Sequence, residues 1–148
     1  MNTSSAEFLD HLIGHWELTG QMGNTHLQQA VTAQWVLGHC FVELHFTSTI
    51  PTPESQPPYQ ATYFIGYDEK DNTYIMHLLD TFGAGYSRVI GLGKRDINTI
   101  SFIFQYPEGP FVNRFIWEPD TQSWTFELTY EKDGQIHGFA TKRMTRKQ

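Results

Sequence analysis

From residue 15 onward the chain alternates apolar and polar residues with a period of two, and turn residues interrupt the pattern about every ten positions. Only a strand sends successive side chains to opposite faces, so this alternation confines the chain to β structure. The clearest stretch is 122–131. There Trp124, Phe126, Leu128 and Tyr130 face one way, and Thr125, Glu127, Thr129 and Glu131 face the other, which must be solvent. Segment 98–106 places Ile100, Phe102, Phe104 and Tyr106 on one face. Segment 110–117 does the same with Phe111, Phe115 and Trp117, with Asn113 among them. Trp16, Leu18, Gly20 and Met22 open the series.

The breaks fall at Gly23-Asn24, Gly38, the loop 50–58, Asp68 to Asn72, Phe82 to Gly85, Lys94 to Ile97, Pro107 to Pro110, Pro119-Asp120 and Asp133-Gly134. Nine breaks leave ten strands. Most connections are short, so sequential strands pair as antiparallel hairpins. The loop 50–58 holds Pro51, Pro53, Pro57 and Pro58 and reads as a stiff surface loop. Ahead of the first strand, Ser4 and Glu7 have capping-box spacing, and Phe8, Leu9, Leu12 and Ile13 share a helical face up to Gly14. That predicts a short helix over about 5–12. Ten antiparallel strands leave edges that closure into a barrel removes, and a ten-strand barrel has room for an internal cavity. The expectation is therefore one all-β domain over 1–148, a ten-stranded antiparallel meander closed as a barrel. A two-sheet sandwich is the alternative.

Composition narrows the function classes. The formal charge is −6, which disfavours nucleic acid and anionic membranes as partners. A single cysteine excludes an internal disulfide and any multi-cysteine metal site. No run approaches 18 apolar residues, and Met1 to Ala6 carries no Lys or Arg. A cytoplasmic location is expected on those grounds.

Gly14-His15-Trp16, a Gly-x-Trp at the first strand after a short helix, resembles the calycin superfamily of lipocalins and fatty-acid-binding barrels. Leu12-Ile13-Gly14-His15-Trp16-Glu17, Trp35-Val36-Leu37-Gly38 with Phe41-Val42-Glu43, Gly66-Tyr67-Asp68 and Asp80-Thr81-Phe82-Gly83 resemble a bacterial calycin-like family over roughly 8–146. The C-terminal His137-Gly138-Phe139-Ala140-Thr141-Lys142-Arg143 is similar, more distantly, to nitrobindin, a barrel that binds ferric haem through a His on its last strand. That resemblance implies His137 as the axial ligand; where the nitrobindin pattern carries leucines, this chain has Gly138 and Lys142. The superfamily also implies homodimerisation.

Candidate site residues follow. Trp16, Trp35, Phe102, Phe104, Phe115, Trp124, Phe126 and Tyr130 are expected to line or floor a ligand cavity. His77, with apolar neighbours on both faces, is a candidate buried histidine and the first suspect for acid–base work. Arg88 shares parity with Tyr86 and Ile90 and is the best inward candidate for a ligand carboxylate, as the fatty-acid-binding resemblance implies, while for Arg88, Arg114 and Arg143 alike an outward salt bridge is the commoner reading. Asp80 precedes a Gly-rich turn whose amides it is placed to cap. Cys40 lies in line with Val42 and Leu44, and reads as a small hydrophobe. Glu43 and His45 are strand neighbours on the opposite face, two residues where a metal site wants three or four, so no metal site is expected. No nucleophile elbow, P-loop or zinc-protease motif occurs. Three readings stay open: a binding module for a small apolar or amphiphilic molecule, a haem protein using His137, and a small-molecule enzyme.

Overall fold

The computed structural model describes residues 4–148. They form a closed ten-stranded meander in which every neighbouring pair is antiparallel. The strands are β1 (Gly14–Met22), β2 (Thr25–Val36), β3 (Phe41–Ser48), β4 (Gln60–Asp68), β5 (Thr73–Asp80), β6 (Gly91–Asp96), β7 (Thr99–Tyr106), β8 (Gly109–Glu118), β9 (Ser123–Lys132) and β10 (Gln135–Arg146). Each connection falls at one of the nine breaks in the alternation. Closure comes from β1 against β10, in register from Trp16↔Arg146 to Gln21↔Thr141. That pairing decides for the barrel over the sandwich.

The alternation is realised directly in burial. On β3, Val42, Leu44 and Phe46 point inward and are buried, while Phe41, Glu43 and His45 lie on the other face. On β9, Trp124, Phe126 and Leu128 are buried. Where strands approach most closely, glycine makes the room. A Cβ on Gly91 would stand 2.6 Å from Cζ of Phe104, a contact no side chain tolerates.

Two expectations are corrected. The segment before β1 is a 3-10 helix over Glu7–Leu12 rather than an α-helix over 5–12. Half of the capping box survives: the Glu7 amide donates to Oγ of Ser4 at 3.2 Å. Ile13 is already extended, because the chain must turn into β1 within two residues. Too few residues remain to propagate an α-helix. Cys40 is also not in the core. It stands exposed in the β2–β3 turn, where Leu37, Gly38 and His39 all have positive φ. The inward parity of β3 starts only at Val42.

The 3-10 helix plugs one end of the barrel. Phe8, Leu9 and Leu12 are buried there. Three indoles bind the plug: Trp16 Nε1 donates to the Leu12 carbonyl at 2.8 Å, Trp124 Nε1 to the His11 carbonyl at 3.0 Å, and Trp35 Nε1 to Oδ1 of Asp10 at 2.8 Å. Arg146 from the last strand donates to the Ile13 carbonyl at 3.0 Å and lies over the Trp16 ring. Leu12 is fully buried at this junction. Leu12→Ala is expected to cost about 3 kcal/mol, within the usual range for a buried leucine. Urea denaturation measures it, and a loss below about 1 kcal/mol would show that the plug lies outside the cooperative core.

Candidate functional site

The plugged half of the barrel is solid. Trp16, Phe102, Phe104, Phe115 and Trp124 are fully buried, and their rings pack edge to face or tilted, as in Phe102–Phe115 at 5.2 Å and Phe115–Phe126 at 4.6 Å. Toward the other end the interior turns polar. Gln29 and Asn113 are buried, and Asp80, Tyr59, Tyr63, Tyr106 and Lys142 gather on the inward side. A cavity of about 10 Å³ lies among Leu18, Phe46, Tyr63, Asn113, Phe126 and Lys142. That is room for one water or one ligand oxygen.

Lys142 reaches this interior because β10 is irregular. His137 pairs with Tyr130 and Gly138 with Thr129, but the next partner pair is Ala140↔Leu128. Phe139 is the extra residue of a bulge. Past it, the inward set is Ala140, Lys142 and Met144, so Thr141 and Arg143 face out. Gly20 stands opposite Lys142 on β1, and a Cβ there would lie 3.0 Å from Cα and Cγ of Lys142. The same Cβ would stand 2.5 Å from the Thr141 carbonyl, so glycine at 20 admits the β10 backbone as well as the base of the lysine stem. The stem rests on Leu18, Phe46 and Phe126, and among the described residues no carboxylate comes within salt-bridge distance of its ammonium.

Electrostatics follow from burial around one carboxylate. Burial lowers the Lys142 ammonium to about 8, with Asp80 partly opposing. Burial raises the Tyr63 phenol far above its ordinary value, and the charge of Asp80 adds to it. Tyr59 is raised by burial, by Tyr63 and by Asp80, to which it donates a hydrogen bond at 3.0 Å. Tyr106 is raised by burial and then by Asp80. The phenols therefore stay protonated donors. Asp80 also caps its own turn, accepting from the Phe82 amide at 3.0 Å through its other oxygen. Asn113 is 2% exposed, and its Oδ1 has no hydrogen-bond partner. An unpaired buried acceptor carries a desolvation penalty of roughly 1–3 kcal/mol.

Beyond this interior the barrel end is rimmed by aromatics. Phe82 and Tyr86 in the β5–β6 loop, and Phe139 at the bulge, are exposed. Tyr59 packs on Phe82 at 5.5 Å, linking the rim to the polar interior.

The sequence candidates divide accordingly. Of the eight aromatics, only Phe126 borders the cavity. Trp35 is half-buried at the plugged end, held by Asp10 and stacked on His39. Tyr130 is 36% exposed at the rim. His77, pointed inward by its apolar neighbours, is exposed on the outer face of β5, since Tyr74 and Met76 take the inward positions. Arg88 does not lie on a strand. It follows a 3-10 turn over Ala84–Ser87 and is exposed. Arg114 bonds Oγ of Ser101 and faces Glu127 at 4.0 Å, and Arg143 bonds Oγ of Ser123. His45 bonds Oγ1 of Thr62 at 3.0 Å, and among the described residues no three His, Cys, Asp or Glu side chains gather as metal ligands.

His137 does turn to the inward side, but its ring stacks on Tyr130 at 5.1 Å near the rim. A haem-sized ligand needs a pocket of about 300 Å³ or more, against an interior cavity of about 10 Å³. A wider, open groove of about 500 Å³ runs along Gly138, Phe139 and Ala140, and His137 is not among the residues that line it. Among the described residues no helix is long and apolar enough to cross a membrane. Compared with models of known protein families and with curated proteins, the chain matches none.

The Lys142 geometry has a measurable consequence. Its folded-state value of about 8 lies below the ordinary 10.5. Below pH 8 both folded and unfolded chains carry the proton, and the cost of burying the charge is borne in full. Between pH 8 and 10.5 the unfolded chain binds more protons, so stability rises with pH. The buried phenols oppose this from about pH 9 upward, because unfolded phenols with an ordinary value of 10.0 begin to ionise there while the folded ones stay protonated. The unfolding free energy is expected to climb by roughly 1 kcal/mol between pH 8 and 9 and then to level off. In Lys142→Met the climb should vanish, with the variant more stable than the parent at pH 7. A parent curve that is flat across this window contradicts a buried, unpaired ammonium.

Proposed function

We propose that the barrel is a binding module for a small amphiphilic molecule, whose oxygen-bearing head enters the interior cavity while its apolar tail lies along the aromatic rim. One observation carries this reading: Asn113, whose buried Oδ1 has no partner among the described residues, and the half-buried Lys142 line the same oxygen-sized cavity. A hydroxyl head answers both groups. It donates to Oδ1 of Asn113 and accepts from Lys142, so the buried acceptor gains the donor it lacks. The cavity admits no more than such a head, because the aromatic half beneath it is filled. The tail is then left at the rim, where Phe82, Tyr86 and Phe139 expose apolar surface. The reading needs no open lumen.

Octan-1-ol is a suitable probe, followed by isothermal titration calorimetry. A hydrogen bond from a charged donor is worth about 1.5–3 kcal/mol, so Lys142→Met is expected to weaken binding about ten- to a hundredfold. Lys132→Met, at the exposed end of β9, should bind as the parent does. Equal affinity in the parent and Lys142→Met would refute the interior site.

A further inference from the structure

Resting on that binding reading, we infer that Lys142 is a nucleophilic amine and that the barrel captures aliphatic aldehydes as a reversible imine in this cavity. Three features of the site converge on a carbonyl head. Lys142 is the one lysine of five that borders the interior cavity; Lys70, Lys94, Lys132 and Lys147 do not. Lys94 is tied to the carbonyls of Asp71 and Asn72 and to Oγ1 of Thr73, so its lone pair is committed to the proton that makes those bonds. Among the described residues Lys142 has no such fixed acceptor and no carboxylate within 4.0 Å, and Leu18, Phe46 and Phe126 line the cavity with it. An amine in apolar surroundings sheds its proton readily and becomes a nucleophile.

The second feature is the acceptor opposite it. When the Nζ lone pair adds to the carbonyl carbon, the C=O π pair moves to oxygen, and the nitrogen's proton passes to that oxygen. The product is a carbinolamine. Its hydroxyl is a donor, which an aldehyde is not, and Oδ1 of Asn113 is the buried acceptor without a partner on the same cavity. Asn113 is thus positioned to bind the tetrahedral intermediate better than the aldehyde itself.

The third feature is a proton source. Loss of the hydroxyl as water needs a proton, and Tyr63 borders the cavity with a phenol that burial keeps protonated. The C–O bond breaks as the nitrogen lone pair forms C=N, and the resulting iminium returns its proton to the phenolate. The overall change is amine plus aldehyde to imine plus water, with no oxidant or reductant. Hydrolysis reverses it and releases the cargo.

With a value of about 8 in place of 10.5, Lys142 has a neutral fraction at pH 7 about three hundredfold above that of an ordinary lysine. The test uses the intact protein with octanal and cyanoborohydride at pH 7, followed by peptide mapping. The expected result is one octyl group, on Lys142, added at least about tenfold faster than on any other lysine. Excess octan-1-ol should suppress it. Tyr63→Phe should slow the labelling of Lys142 alone, and Lys142→Met, which removes the buried charge, should take up no fast label. Labelling spread evenly over the five lysines overturns the imine. So does an unlabelled Lys142 in a protein that still binds octan-1-ol, and that outcome leaves the binding reading standing. If octan-1-ol neither binds nor competes, both readings fall.

Discussion

Three indole N–H groups settle which end of this barrel is closed. Trp16, Trp35 and Trp124 come from β1, β2 and β9, yet all three donate to the segment Asp10–Leu12. A buried indole must find an acceptor, and a 3-10 helix end offers free carbonyls. Each group thus removes the other's desolvation penalty. The interaction also links the first and last parts of the chain, because Arg146 on β10 bonds Ile13 just beyond the plug. With that end filled by Phe8, Leu9 and Leu12, any exchange with solvent along the barrel axis is left to the opposite rim.

The fold was legible because alternation and punctuation are local signals. Each of the ten strands carries its own parity, and each turn its own Gly, Pro, Asp or Asn. Closure was inferred from the need to bury edges, and the β1–β10 register bears it out. The site was legible only in part, since parity fails wherever the chain leaves the strand lattice. Cys40 and Arg88 were extrapolated from strand parity into segments that are turns. His77 was judged by its apolar neighbours, but Ile75 and Leu79 on its own face are themselves partly or fully exposed. Surface aliphatic residues are ordinary on a barrel with few charges.

Lys142 escaped for the opposite reason. Counting by twos from His137 sends Phe139, Thr141 and Arg143 one way and Lys142 the other. The bulge at Phe139 reverses this parity for the rest of β10. Gly138 was the available signal, since an isolated glycine within a strand often marks a bulge. Gly20 was a second signal, because a glycine in the middle of a strand invites the question of what approaches it. What approaches it is the β10 backbone, the Thr141 carbonyl first, with the start of the Lys142 stem behind it.

The interior polar group then poses a physical question that packing alone does not answer. A chain selected only for stability would place Met or Leu at 142, since the walls there are Leu18, Phe46 and Phe126. It would likewise place an apolar residue at 113, between Phe102 on β7 and Leu128 on β9. Instead, an ammonium and an amide oxygen share a cavity of one oxygen's volume, and Oδ1 of Asn113 meets no protein donor. Polar groups kept in a core without partners lower stability unless something else completes their bonds. The rest of the barrel is well satisfied, with Asp80, Tyr59 and the three plug indoles all paired. At the Lys142–Asn113 cavity, a ligand oxygen supplies the donor that Oδ1 of Asn113 lacks and an acceptor for Lys142 together.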